Sequence, residues 1–212
     1  PWLGDRSAVP LTLGWSRDRR DSALVPTAGN YQRVFSDWSI AGDTRYVRAN
    51  YQIQQYVPLT KKYTFALNTD LGYGKGLNGQ AYPWFKNYYV GGLGSVRGFM
   101  QGTLGPTQPT SATNSYPVYL GGTKKVVLNG EFVGPFPGAG NDKTLRMFAF
   151  VDAGYAYGEN DPIRLSELRS SWGFGLSWIS PMGPLRFSYA LPINQQPGDK
   201  IQKLQFQIGT SF

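Results

Sequence analysis

Residues 201–212 alternate almost without fault between apolar and polar side chains, with a period of two. Leu204, Phe206, Ile208 and Phe212 fall on one face; Lys203, Gln205, Gln207, Gly209 and Ser211 fall on the other. This period predicts a single β-strand with one greasy face and one wet face. The rhythm recurs upstream. Leu185, Phe187, Tyr189 and Leu191 alternate with Arg186, Ser188 and Ala190, and Trp172, Phe174, Leu176 and Trp178 alternate with Ser171, Gly173, Gly175 and Ser177. Leu145, Met147, Ala149, Val151 and Tyr155 share a face opposite Arg146, Asp152 and Gly154. Val126, Leu128 and Phe132 oppose Asn129 and Glu131. Tyr63, Phe65, Leu67, Leu71 and Tyr73 oppose Thr64, Asn68, Asp70 and Gly72, and Val47, Ala49, Tyr51, Ile53 and Val57 oppose Arg48, Asn50, Gln52 and Gln54. Weaker strands fall near residues 32–40 and 9–18, which brings the expected number to about nine.

Strands of about ten such residues cross a bilayer only inside a closed barrel, where every backbone group is paired. The expected class is therefore all-β, an antiparallel transmembrane β-barrel. Bacterial single-chain barrels use an even number of strands, and an open set would leave bare edges in lipid. Nine strands thus predict the C-terminal portion of a larger barrel occupying residues 1–212, with further strands upstream. The connections alternate in character. Pro58-Leu59-Thr60-Lys61-Lys62 and Ser180-Pro181-Met182-Gly183 are tight, as periplasmic turns are, whereas residues 158–169 and above all 75–123 are long. A connection of nearly fifty residues without an obvious helix implies a task for it.

Composition agrees with this class. Apolar residues make up 41%, the mean hydropathy is negative, and the longest purely apolar run, residues 147–151, is far short of a spanning helix. Aromatics (14 Tyr, 12 Phe, 6 Trp) and Gly (27) are abundant, as interfacial girdles and tightly packed strands require. Trp172, Trp178, Tyr155 and Tyr157 are expected in those girdles. There is no Cys and no His, which excludes Cys- or His-based nucleophilic catalysis and zinc sites built on those ligands. No metal or cofactor is expected. The net charge of +8 is spread over turns and strand ends rather than gathered beside exposed aromatics, so nucleic acid is not an expected partner. Pro1-Trp2-Leu3-Gly4-Asp5 lacks the charged-then-apolar pattern of a signal peptide, which suggests a mature or internal piece of an exported protein.

Two glycine-rich stretches bear on function. Gly74-Lys75-Gly76-Leu77-Asn78-Gly79 fits a dinucleotide fingerprint on paper, but Ala81-Tyr82-Pro83-Trp84-Phe85 is no helix start, and the motif needs one. It reads as a strand exit. Within the long connection lies Tyr88-Tyr89-Val90-Gly91-Gly92-Leu93-Gly94-Ser95-Val96-Arg97-Gly98-Phe99. Val96-Arg97-Gly98-Phe99 resembles the loop motif of the BamA family of outer-membrane assembly factors. Further similarity lies in Val25-Pro26-Thr27-Ala28-Gly29, in Ser180-Pro181-Met182-Gly183-Pro184-Leu185 and in Phe206-Gln207-Ile208-Gly209, so that it spans nearly the whole chain.

The resemblance implies a sixteen-stranded barrel whose seven upstream strands and periplasmic POTRA domains lie outside this sequence. It also implies that the loop folds back into the lumen with Arg97 held by acidic residues on the inner wall. Glu131 and Asp152 sit on the polar phase of their strands and match the family's acidic partners by position. A guanidinium about 4 Å from a carboxylate gains about 4 kcal/mol before desolvation is subtracted. Without such partners Arg97 would be an exposed loop arginine. Gly94 and Gly98 would let the chain turn beside the wall. Arg48, Asp70 and Arg146 are expected to be solvated lining.

The last strand, with Leu204, Phe206, Ile208, Gly209 and Phe212, either zips against the first strand or offers its edge to an incoming strand. The two roles are compatible. The resemblance implies an integral outer-membrane protein that folds and inserts other barrel proteins through this seam, without nucleotide or bond chemistry. Its implied partners are nascent outer-membrane proteins, the accessory lipoproteins of the assembly complex, periplasmic chaperones, the bilayer and lipopolysaccharide. A two-partner secretion exporter, passing an unfolded polypeptide through the lumen, shares the barrel plan and an arginine loop. A porin and a soluble β-protein are the remaining alternatives.

Overall fold

A computed structural model describes residues 7–109, 117–138, 144–181 and 183–209. Nine antiparallel strands form one sheet in strict chain order: β1 (Ala8–Asp18), β2 (Gly29–Gly42), β3 (Tyr46–Pro58), β4 (Thr64–Gly76), β5 (Lys124–Pro135), β6 (Leu145–Tyr157), β7 (Arg169–Ser180), β8 (Gly183–Pro192) and β9 (Leu204–Ile208). This is the strand count and antiparallel class read from the alternation. The sheet is open: among the described residues, β1 and β9 are its two edges.

Each strand keeps its two faces. On one face Leu11, Trp15, Trp38, Leu67, Val151, Phe174 and Phe206 are all exposed, a sheet-wide apolar surface that suits hydrocarbon and not water. Part of the opposite face is covered by residues 77–109 and 117–123, which fold against it rather than away from it. Val90, Val96, Phe99 and Leu104 from this loop pack on Val127 of β5 and Ala156 of β6, with Tyr155 and Ile201 alongside. The largest apolar cluster is thus built by the loop and the inner wall. The limbs of the loop are bridged by backbone pairs between Tyr88 and Gly122 and between Val90 and Leu104, and Thr107–Pro109 pairs with Pro117–Tyr119.

Two readings of the alternation need correction. Residues 201–212 do not begin as one strand. Ile201 and Gln202 pair with Gly98 and Phe99 of the loop, and β9 starts only at Leu204. The loop presents an open backbone edge there, and Ile201 gains apolar contact by turning inward. Tyr157 is not in an outer girdle: it is 1% exposed, packs with Val126 and Leu168, and donates its hydroxyl hydrogen to Arg164 O at 2.6 Å. The β6–β7 connection covers it, a long-range contact that strand periodicity does not register. Trp172 and Trp178 do lie on the exposed apolar face.

This sidedness has a direct test. In the complete protein reconstituted in membranes, a bilayer-confined photoreactive probe should label Phe206, Phe132 and Val151 and spare Gln205, Glu131 and Asp152. Labelling of the second set instead would reverse the faces.

Candidate functional site: a lumen loop held on the inner wall

The polar phases of β5 and β6 bring Asn129 and Asp152 opposite each other, with Glu131 two residues along β5. The loop delivers Arg97 to this spot. Its Nε and Nη2 donate to Asp152 Oδ2 and Oδ1, each at 2.7 Å, and its own backbone N–H donates to Oδ2 at 3.0 Å. Nη1 donates to Glu131 Oε1 at 2.5 Å. Asp152 is wholly buried and also accepts from Asn129 Nδ2 at 2.8 Å. The same amide nitrogen donates to Ser95 O in the loop. Two parallel N–H···O bonds to one carboxylate use the planar fork of arginine in a way an ammonium cannot. Arg97 lies in the loop rather than in a strand. Burial alone would lower its pKa, but Glu131 and Asp152 outweigh that and hold it above its ordinary value.

Around this polar centre the wall is shaped to accept the loop. The Arg97 guanidinium lies 3.6 Å from the centroid of the Phe150 ring, a cation–π contact strengthened by desolvation. Phe150 and Phe148 have room to lie flat because they face Gly173 and Gly175 of β7. A Cβ on Gly175 would come within 2.1 Å of Phe187 O and 2.5 Å of the Phe148 ring. Small residues continue across Ser171, Ser188 and Ala190. Gly98 has φ +90, and a Cβ there would stand 3.0 Å from Ala190 Cβ, so the chain turns against the wall where only glycine is unstrained. Val96 and Phe99 flank this pair, fully buried. Removing such side chains from water contributes roughly 1.5–3 kcal/mol each, which supports the ion pairs from both sides.

The site reaches further than Arg97, Glu131 and Asp152. Arg186 of β8 donates through Nη2 to both oxygens of Glu131 at 2.9 Å and lies 4.4 Å from the Phe148 ring centroid. Gln205 of β9 is buried. It donates to Phe99 O at 2.8 Å, and its Oε1 accepts from Gly98 N at 3.4 Å. The entry limb has its own hold: Tyr88 donates to Ala49 O at 2.7 Å, and its ring lies between Arg48 (4.4 Å) and Lys125 (5.2 Å). Asp70 pairs with Lys125, and Asp37 lies within 3.9 Å of Arg48. Arg48 and Asp70 are therefore part of a clasp, not merely solvated lining. The alternation already placed Arg186 and Gln205 on the inner face, but it held no sign of what they meet. Phe148 and Phe150 are apolar residues on the polar phase of β6, and each stands opposite a glycine.

Of the other residues singled out from the sequence, Leu204, Phe206 and Ile208 lie on the outer face of β9, with the Phe206 and Phe187 rings 4.6 Å apart. Gly209 follows with φ +94, its N–H donating to Pro184 O at 2.8 Å. Phe212 lies outside the described residues. The described residues hold no group of three or more acids that could hold a metal ion.

Arg97→Lys should lower stability by about 2 kcal/mol or more, since one ammonium cannot serve both carboxylates, and limited proteolysis of the loop should report it. Arg97→Glu should be partly rescued by Asp152→Arg, and less well by Glu131→Arg, which would set a second cation against Arg186. No rescue by either would show that these contacts do not hold the loop. Gly175→Val should cost about 1–3 kcal/mol through overpacking, seen as a lower thermal midpoint of the complete protein, with no change in the outer apolar surface.

Comparison with known proteins places this geometry. The Omp85 superfamily domain matches residues 2–212. Over 95% of its length the chain is 36% identical to the outer membrane protein assembly factor BamA of Neisseria meningitidis, of which it covers 28%. A SAM50-like protein of Schizosaccharomyces pombe is 26% identical over 99% of the chain, covering 46% of that protein. The crystal structure of BamA from Haemophilus ducreyi lacking POTRA domains 1–3 superposes with a TM-score of 0.84 at 30% identity, over 93% of this chain and 41% of that one. The chain thus spans between about a quarter and a half of the length of these relatives. It belongs to the Omp85 superfamily, a family of integral outer-membrane β-barrel proteins.

Proposed function

We propose that this chain is the C-terminal part of a larger barrel that folds and inserts other β-barrel proteins into the outer membrane. The work is done by a strand edge and by local disturbance of lipid, with no bond chemistry and no nucleotide. The observation that carries the reading is the state of β9. It spans only Leu204–Ile208, bears an exposed apolar face, and is tied through Gln205 to the loop inside. A strand this short makes few ladder hydrogen bonds to its neighbour in a closed barrel, and once its N–H and C=O groups come free they are a template for strand addition. Gly209, in the left-handed region just beyond it, interrupts regular pairing where a seam would open. The loop, held by Arg97 on Glu131 and Asp152, braces the wall while that edge moves.

Nascent outer-membrane proteins are the proposed substrates. Accessory lipoproteins, periplasmic chaperones and lipopolysaccharide are the proposed partners, by kinship with proteins named as BamA assembly factors. Neither the fold nor the relatives favour a two-partner secretion exporter.

The reading is tested by a disulfide between a cysteine near Phe206 and one in the first strand of the complete barrel. Locking the seam should slow insertion of a client barrel, with recovery on reduction. Undiminished insertion while locked would rule out a seam that has to part.

A further inference from the structure

Glu131 is shared. Arg97 reaches Oε1 from the loop, while Arg186 reaches both oxygens from β8. Only one of these two cations belongs to the wall. When the loop withdraws, Arg97 leaves with it, and Glu131 keeps Arg186 while Asp152 keeps only the amide of Asn129. A buried carboxylate stripped of every counter-ion is costly, and one left paired is not. Arg186 is itself positioned for this role: its guanidinium rests on Phe148, and its strand neighbours across the two ladders are Ser177 of β7 and Gln207 of β9. Arg97 thus docks onto one carboxylate already paired, Glu131, and one held by a neutral amide, Asp152.

We propose that Arg186 is a positioning residue that makes the loop releasable: by holding Glu131 in the absence of Arg97, it weakens the loop's anchor instead of strengthening it. This rests on the reading of the loop as a brace for the seam, and it assigns a residue that sets how firmly the brace is held. A purely structural Arg186, one that stiffens the wall on which the loop sits, predicts the opposite sign. Its removal would then loosen the loop.

The experiment uses the complete protein with a single cysteine at position 96 (Val96→Cys), a side chain buried against the wall while the loop is docked. The rate of maleimide labelling reports loop release. Arg97→Ala should label fastest. Arg186→Gln should label about tenfold more slowly than the parent, because release would then leave Glu131 without a cation. Arg186→Lys should label near the parent rate, because the charge is kept. Should Arg186→Gln fail to fold, Arg186→Met, which keeps the stem against Phe148, carries the same expectation. Labelling of the Gln or Met variant that is equal to or faster than the parent overturns the proposal. Client insertion measured on the same proteins separates the two readings. Slower labelling with unchanged insertion would leave Arg186 in its role and remove loop release from the assembly cycle.

Discussion

The bidentate contact of Arg97 with Asp152 is the interaction on which the interior depends. Without it, a connection of more than forty residues would have to order itself against a sheet that offers little apolar surface on its inner face. That ordering costs about 1–2 kcal/mol of backbone entropy per residue fixed. The ion pair alone cannot supply this, because desolvation of a buried pair offsets much of its Coulombic gain. What it does is fix one point of the loop at one point of the wall. From that point Val96 and Phe99 fall into contact with Val127 and Ala156, and the apolar burial that stabilises the loop follows from a register set by charge.

The wall is as specific as the loop. A guanidinium held by two carboxylates needs a third surface to exclude water, and the Phe150 ring provides it. That ring can lie down only because β7 carries glycine opposite it, and the next inward glycine does the same for Phe148. The two phenylalanines then carry different cations, Arg97 on Phe150 and Arg186 on Phe148, with Glu131 between the two guanidiniums. Loop, β5, β6, β7 and β8 meet in this cluster, so a change in any of these strands is felt at Arg97.

The sheet was legible in the sequence because its determinant is local. Period-two alternation with aromatics such as Trp172, Phe174 and Trp178 on one phase fixes both strand and face without knowledge of any partner. Arg97, Glu131 and Asp152 were legible for a different reason: residues of opposite charge stood on the loop and on the inner phase of two strands, and a family motif supplied the link. Arg186 and Gln205 were visible only as inward-facing polar residues. Their contacts cross three or more strands or join residues more than fifty positions apart, and no periodicity encodes that. The ending misled for the same reason. Ile201 and Gln202 stand in the opposite phase to Leu204, Phe206 and Ile208, a slip that the long run to residue 212 conceals, and they pair with Gly98 and Phe99 because a backbone edge waits there.

That misreading carries the deeper point about mechanism. Two residues before β9 the chain is hydrogen-bonded to the very dipeptide that follows Arg97, and Met100 N donates to Lys200 O at 2.8 Å just beyond. Gln205 adds a side-chain link from within β9 itself. The segment that leads into β9 and the anchored loop therefore share backbone hydrogen bonds. A displacement of β9 large enough to admit an incoming strand must either carry Gly98 and Phe99 with it or break these bonds. Since Gly98 is covalently next to Arg97, carrying them strains the contact with Asp152. The proposed seam and the anchor are thus coupled through one short ladder. The stiffness of that coupling is set by how readily Arg97 can let go of a wall on which Arg186 remains.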